Sequence, residues 1–91
     1  MNAMRPIHPG EILKEELAEI NMTANAFAKA LQVPANRITA ILSGTRSITA
    51  DTALRISIFF GTTPEFWLNL QTAYDLKVAR KSIGKKIQQE V

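Results

Sequence analysis

Residues 23–46 read TANAFAKALQVPANRITAILSGTR, the pattern of two short amphipathic helices joined by a tight turn. Thr23 is placed to accept a hydrogen bond from the free amides that open a helix, and Met22 before it to pack on Phe27, a cap with a hydrophobic staple. Phe27, Ala28 and Leu31 recur at helical spacing on one side, and Val33 closes the turn. The second half begins at Pro34, whose fixed φ and missing amide donor suit a helix start. Ile38, Ile41 and Leu42 form its inward face, and Ser43-Gly44 is a natural stop. Turning about 100° per residue from that apolar stripe puts Asn36, Ala40 and Ser43 on the opposite face, flanked by Arg37 and Thr39.

An outward face so small, polar and basic suits the DNA major groove, which admits one helix and offers donors and acceptors on base edges. Asn36 is suited to paired hydrogen bonds with adenine, Arg37 to guanine or phosphate, and Thr39 to phosphate or a thymine methyl. On pattern alone an ordinary polar surface helix stands beside this reading, because helix pairs are common in small helical proteins.

Working outward, the chain of 91 residues makes one domain with a modest core, and 46% hydrophobic residues mark it as folded. It has no cysteine, which excludes disulfides and thiolate metal sites. Its apolar runs are too short to cross a bilayer and no signal peptide precedes them, so a cytoplasmic location is expected. The net charge of +3 is unevenly spread. Lys29, Arg37, Arg46 and Arg55 against Asp51 make the centre basic, and five basic groups against Glu90 do the same for the C-terminal stretch. Glu11, Glu15, Glu16 and Glu19 make the first segment acidic. Phosphate contact fits the basic parts; for the tail, ordinary solvated lysines fit equally.

Residues 1–7 read as a loose N-terminal arm, 8–80 as the domain, and 81–91 as a basic tail. His8-Pro9-Gly10 opens a helix to about Ile20, with Ile12, Leu13, Leu17 and Ile20 inward. Glu11, Glu15 and Glu19 form an acidic stripe, read either as a solvated face or as a docking strip for a basic protein. Glu16 falls within the apolar face and is expected to bond a basic residue of the helix pair or Arg55. His8, the only histidine, reads as a hydrogen-bonding residue rather than a metal ligand. A helix from Thr49 to Phe60 is apolar almost all round and is expected in the middle of a bundle. A last one starts at Thr63-Pro64 and runs to about Ala79, with Gly84 breaking the pattern. It has more apolar surface than the core needs, so Trp67, Leu68, Leu70 and Tyr74 are expected to pair two copies, which suits a palindromic site.

HPGEILKEEL, NAFAKALQVPANRITAILSGTRSITADTAL and GTTPEFWLNLQTAYDL follow one another over about residues 8–76, and with them the chain resembles the HigA family of antitoxins, a branch of the lambda-repressor-like helix-turn-helix proteins. The resemblance implies an all-α, five-helix, dimeric domain that binds double-stranded operator DNA near its own promoter. It also implies that the domain silences a HigB-type RNA-cleaving toxin. By position the two motif helices are Ala24 to Leu31 and Ala35 to Ser43. The residues meeting DNA become Asn36, Arg37, Thr39 and Ala40, with backbone contacts near Thr23, Asn25, Ser43 and Arg46. Three positions depart from relatives: Ala24 replaces a glutamine that touches DNA, Gln32 the common turn glycine, and Ala40 a long side chain. Glu11, Glu15 and Glu19 are the expected toxin contacts.

Two other readings remain at this level: a stand-alone helix-turn-helix transcriptional regulator without a toxin partner, and an interaction module that never meets DNA. An enzyme has no support, since no nucleophile, metal cluster or phosphate-cradling glycine loop appears, and no cofactor is expected.

Overall fold

The computed structural model describes residues 5–90, with side chains through Ile83. Residues 1–4 of the expected arm and the side chains of 84–91 in the expected tail lie outside the described residues. Five helices follow in order: α1 Pro9–Glu19, α2 Ala24–Leu31, α3 Ala35–Leu42, α4 Ala50–Phe60 and α5 Pro64–Glu90. No strand occurs among the described residues, in keeping with the all-α reading.

Their boundaries follow from local chemistry. Before α1, His8 Nδ1 accepts the Gly10 amide at 2.9 Å, and the Glu11 carboxylate takes the His8 amide at 3.4 Å, a reciprocal capping box. An imidazole accepting through Nδ1 must be neutral there, and burial holds the His8 pKa below its usual value against the pull of Asp75 and Glu11. Thr23 caps α2 by accepting the Ala26 amide at 3.1 Å, and Thr63 caps α5 through the Phe66 amide at 3.2 Å. Gln32 ends α2 in the left-handed region, φ 60°, so the side chain at the usual glycine position does accept the unusual backbone angle.

The core gathers Leu13 and Leu17 of α1, Phe27, Ala28 and Leu31 of α2, Ile38 and Ile41 of α3, Ala53 and Ile56 of α4, and Trp67 of α5. Phe27 stacks against Phe59 and Phe60, and Phe60 against Trp67, whose indole N–H reaches the Thr62 hydroxyl at 3.1 Å. Ile48, in the loop between α3 and α4, is also in this core. Its amide donates to Gln71 Oε1 at 2.8 Å, and the buried Gln71 in turn donates to Asp75. A loop that would otherwise drift over the surface is thereby pinned to α5.

Four expectations are corrected. Ile20 is 47% exposed, because α1 ends at Glu19 and the chain turns through Asn21 at φ 53°. Glu16 is exposed, and Arg55 bonds Asp51 and the Leu31 carbonyl instead. α4 is not central: Leu54, Ile58 and Phe59 stand on an outer face, Ile58 at 81% exposure. Gly84 does not end α5, which continues to Glu90 and, at about 1.5 Å per residue, forms most of the 50 Å long axis of the molecule.

α1 and α3 approach each other closely at Gly10. A β-carbon on Gly10 would lie 1.9 Å from the Ile41 carbonyl oxygen, a backbone atom that cannot step aside alone. Gly10→Ala should therefore push α3 off α1 and destabilise the fold by about 1–3 kcal/mol, the range of overpacked cores. Denaturant unfolding checks this, and an unchanged midpoint would contradict it.

Candidate nucleic-acid interface

α3 is eight residues long and has one dry and one wet side. Ile38 and Ile41 are fully buried. Asn36, Thr39 and Ser43 are exposed, with Ala40 partly so, as the helical count from the apolar stripe places them. Thr39 Oγ1 makes a long bond to the Asn36 carbonyl at 3.4 Å and Ser43 Oγ donates to the Ala40 carbonyl at 3.0 Å. The Asn36 amide keeps no side-chain partner among the described residues, so both its donor and its acceptor face outward.

The end of α3 is tightly knotted. The Ala40 carbonyl accepts from the Thr45 and Arg46 amides at 2.9 and 3.2 Å and from the Thr45 hydroxyl at 3.2 Å. Gly44 follows at φ 82°, a backbone angle that suits glycine. This turn presents Thr45, Arg46 and Ser47 as exposed residues beside the exposed face, with the Thr45 hydroxyl hydrogen already given to the Ala40 carbonyl. Thr45 was missed by sequence reasoning, because its placement depends on that turn. Thr23 and Asn25 are exposed at the start of α2; the Thr23 hydroxyl oxygen caps the helix and its hydrogen remains free to donate outward.

Arg37 differs from the rest. Its Nη1 donates to Asp51 Oδ2 at 2.6 Å, and its side chain is only 25% exposed. Two arginines, Arg37 first and then Arg55, hold the Asp51 carboxyl below its usual pKa. The structure thus lays Arg37 against α4 rather than leaving it free on the outer face.

The acidic stripe is also altered. Glu11 receives both terminal Arg5 guanidinium nitrogens, at 2.8 and 2.7 Å, and is half-buried, while Glu15 and Glu19 are exposed. Of the four residues expected to pair two copies, Trp67 is 1% exposed inside its own chain's core and has no surface to give. Its indole fills the space between α4 and the start of α5. Leu68 and Leu70 are half-buried against the same core, and Tyr74 lies edge-on to His8, with ring centres 4.9 Å apart. Among the described residues no cluster of side chains could hold a metal ion, and no helix is long and apolar enough to cross a membrane.

Comparison with known proteins agrees with this geometry. Residues 13–67 match the family model described as helix-turn-helix. Virulence-associated protein I of Dichelobacter nodosus is 54% identical over 88% of this chain and 75% of its own length. An addiction module antidote protein of a HigA family from Coxiella burnetii is 70% identical, covers 97% of both chains and superposes with a TM-score of 0.92. The Pseudomonas aeruginosa antitoxin HigA, solved with the higBA promoter, is 44% identical over 96% of both chains with a TM-score of 0.91.

The Arg5 bond pulls the Glu11 carboxyl down to about 2 from an ordinary 4.5. A depressed carboxyl contributes stability above its ordinary value, and that contribution is lost as pH falls from there through the folded value. Arg5→Ala should return the Glu11 midpoint towards 4.5, as followed by carboxyl NMR titration. A midpoint that stays near 2 would show that Arg5 is not its cause.

Proposed function

Because the chain belongs to the helix-turn-helix family and, within it, to the HigA antitoxins, we propose that it is an autoregulating antitoxin. Paired copies hold operator DNA of their own promoter through α3, and the same chain neutralises a HigB-type RNA-cleaving toxin in the cytoplasm. The observation that carries the DNA half is the free Asn36 amide, exposed beside Thr39 on a helix whose opposite face is core. Asn36 and Thr39 read bases, while Thr23, Asn25, Ser43 and Arg46 hold the phosphate backbone and set the register. Ala40 leaves room for a base edge and adds no polar contact of its own. That a relative of the same fold was solved with a promoter supports the operator-binding reading.

Self-association uses the apolar face that α4 exposes, Leu54, Ile58 and Phe59, with Leu68, Leu70 and Tyr74 contributing at most their half-buried edges. Two copies of α3 then meet successive major grooves, about 34 Å apart. Residues 8–80 are the working domain; the arm before it is tied back at Arg5. The toxin contact falls on α1. With Glu11 engaged by Arg5, Glu15 and Glu19 are the charges of the stripe left to meet a basic partner, and Glu11 serves the helix start.

Binding to the chain's own promoter region should saturate at two chains per duplex and weaken with salt, since phosphate contact releases counterions. Asn36→Ala should lower specific affinity by about 1–3 kcal/mol with little change for scrambled duplex, and Ile58→Glu should leave monomers in sedimentation. A flat salt response with no preference for the promoter would end the repressor reading. For the other half, the neighbouring reading frame should encode a small basic protein that co-purifies with this chain, and Glu15→Lys with Glu19→Lys should break the pair. Co-purification unaffected by both changes would move the contact off α1, and no partner at all would leave a stand-alone regulator.

A further inference from the structure

Arg37 is the one basic side chain of α3, yet its charge is already engaged. The Asp51 oxygen that takes Arg37 at 2.6 Å also accepts Arg55 Nε at 3.1 Å, and Arg55 Nη1 donates to the Leu31 carbonyl at 2.8 Å. Leu31 is the last residue of α2, so that carbonyl has no partner within its own helix. One carboxylate therefore joins three elements: α3 through Arg37, α4 on which it sits, and α2 through Arg55. The Arg37 Nε lies buried with no hydrogen-bond partner, a cost that a solvent-exposed rotamer would avoid. The pose is thus held by the contact with Asp51 and not by the guanidinium's own hydration.

We infer that Asp51 is a positioning residue for base reading: by bracketing Arg37 it sets the rotation of α3 about its own axis, and with it the aim of Asn36 and Thr39. This deepens the operator-binding reading and rests on it. The contacts of Ile38 and Ile41 are non-directional and leave axial rotation soft. A short charge-assisted bond from the flank of the helix is directional and stiffens that motion. Asp51 is 56% exposed, and exposed ion pairs add little to global stability. Removing it should therefore change the aim of the helix more than the fold.

The sign of the effect separates this role from a merely electrostatic one. A carboxylate at the edge of a phosphate-binding face repels every duplex equally, so its loss alone would tighten binding to any sequence. A bracket lost should weaken binding only where the aim matters.

The experiment uses the full chain with Asp51→Asn, Asp51→Glu, Arg37→Met and the Asp51→Asn/Arg37→Met double variant. Each is titrated against the promoter duplex and a scrambled duplex at one salt concentration, and amide hydrogen exchange is measured without DNA. Asp51→Asn should weaken promoter binding on the order of ten-fold, the scale of one misaimed base contact, while scrambled binding stays level or tightens. The double variant should be no worse than either single one, since both remove the same contact, and Asp51→Glu should recover part of the preference. In the free protein α3 amides should exchange faster with those of the Trp67 turn unchanged. Promoter and scrambled affinities rising together, or α3 exchange unaltered by Asp51→Asn, would overturn the bracket. Absence of promoter preference in the unaltered chain would instead defeat the operator reading, and the exchange measurement would still decide whether Asp51 braces α3.

Discussion

A helix of eight residues has no independent stability in water, because the cost of its first turn is not recovered over so few hydrogen bonds. α3 persists because Ile38 and Ile41 are removed entirely from solvent and because α1 comes close enough to clamp them. That approach places the Gly10 Cα within reach of the Ile41 carbonyl, where no side chain fits. Everything offered on the outer face depends on this contact, since Asn36 and Thr39 project from a backbone whose opposite edge it holds against α1.

The rest of the fold braces the two ends of that helix. At the start, the α2–α3 turn accepts a left-handed Gln32, and the last α2 carbonyl is covered by Arg55. At the finish, the Ala40 carbonyl gathers the following turn, and Ile48 plugs the loop into the core while Gln71 takes its amide. Gln71 is a buried polar group, and it is tolerable only because its amide group donates to Asp75 while its oxygen accepts from Ile48. α5 thus supports a surface that it never reaches.

Much of this was legible in the sequence, because it is written in local chemistry. Helix starts at Pro9, Ala24 and Pro64 follow from His8, Thr23 and Thr63, each with a capping bond within three residues. The wet face of α3 follows from helical periodicity alone. What escaped notice involves distant partners. Arg37 and Asp51 are 14 positions apart, and Ile48 and Gln71 are 23 apart, so no periodicity records either pairing. Composition misled on α4, where Leu54 and Ile58 look like core residues but face outward. An apolar residue type says what a surface prefers to touch and not whether its own chain supplies the contact. Trp67 shows the converse, a large aromatic that looked available for a partner and is consumed at home.

The same bookkeeping changes the meaning of the chain's positive charge. Of the four basic residues between 20 and 60, Arg37 and Arg55 are turned towards Asp51, which leaves Lys29 and Arg46 as the exposed ones. Arg5 is likewise held by Glu11. Phosphate attraction is blind to sequence and supplies nearly all non-specific affinity, whereas selectivity comes from hydrogen bonds to base edges. An interface with few free cations and a row of neutral donors and acceptors therefore lowers the background against which a cognate site competes. Because what governs occupancy is the ratio of specific to non-specific binding, neutralising arginines internally favours discrimination even as it reduces raw affinity. On the proposed operator-binding reading, the internal ion pairs serve recognition by what they withhold from the DNA as well as by what they hold in place.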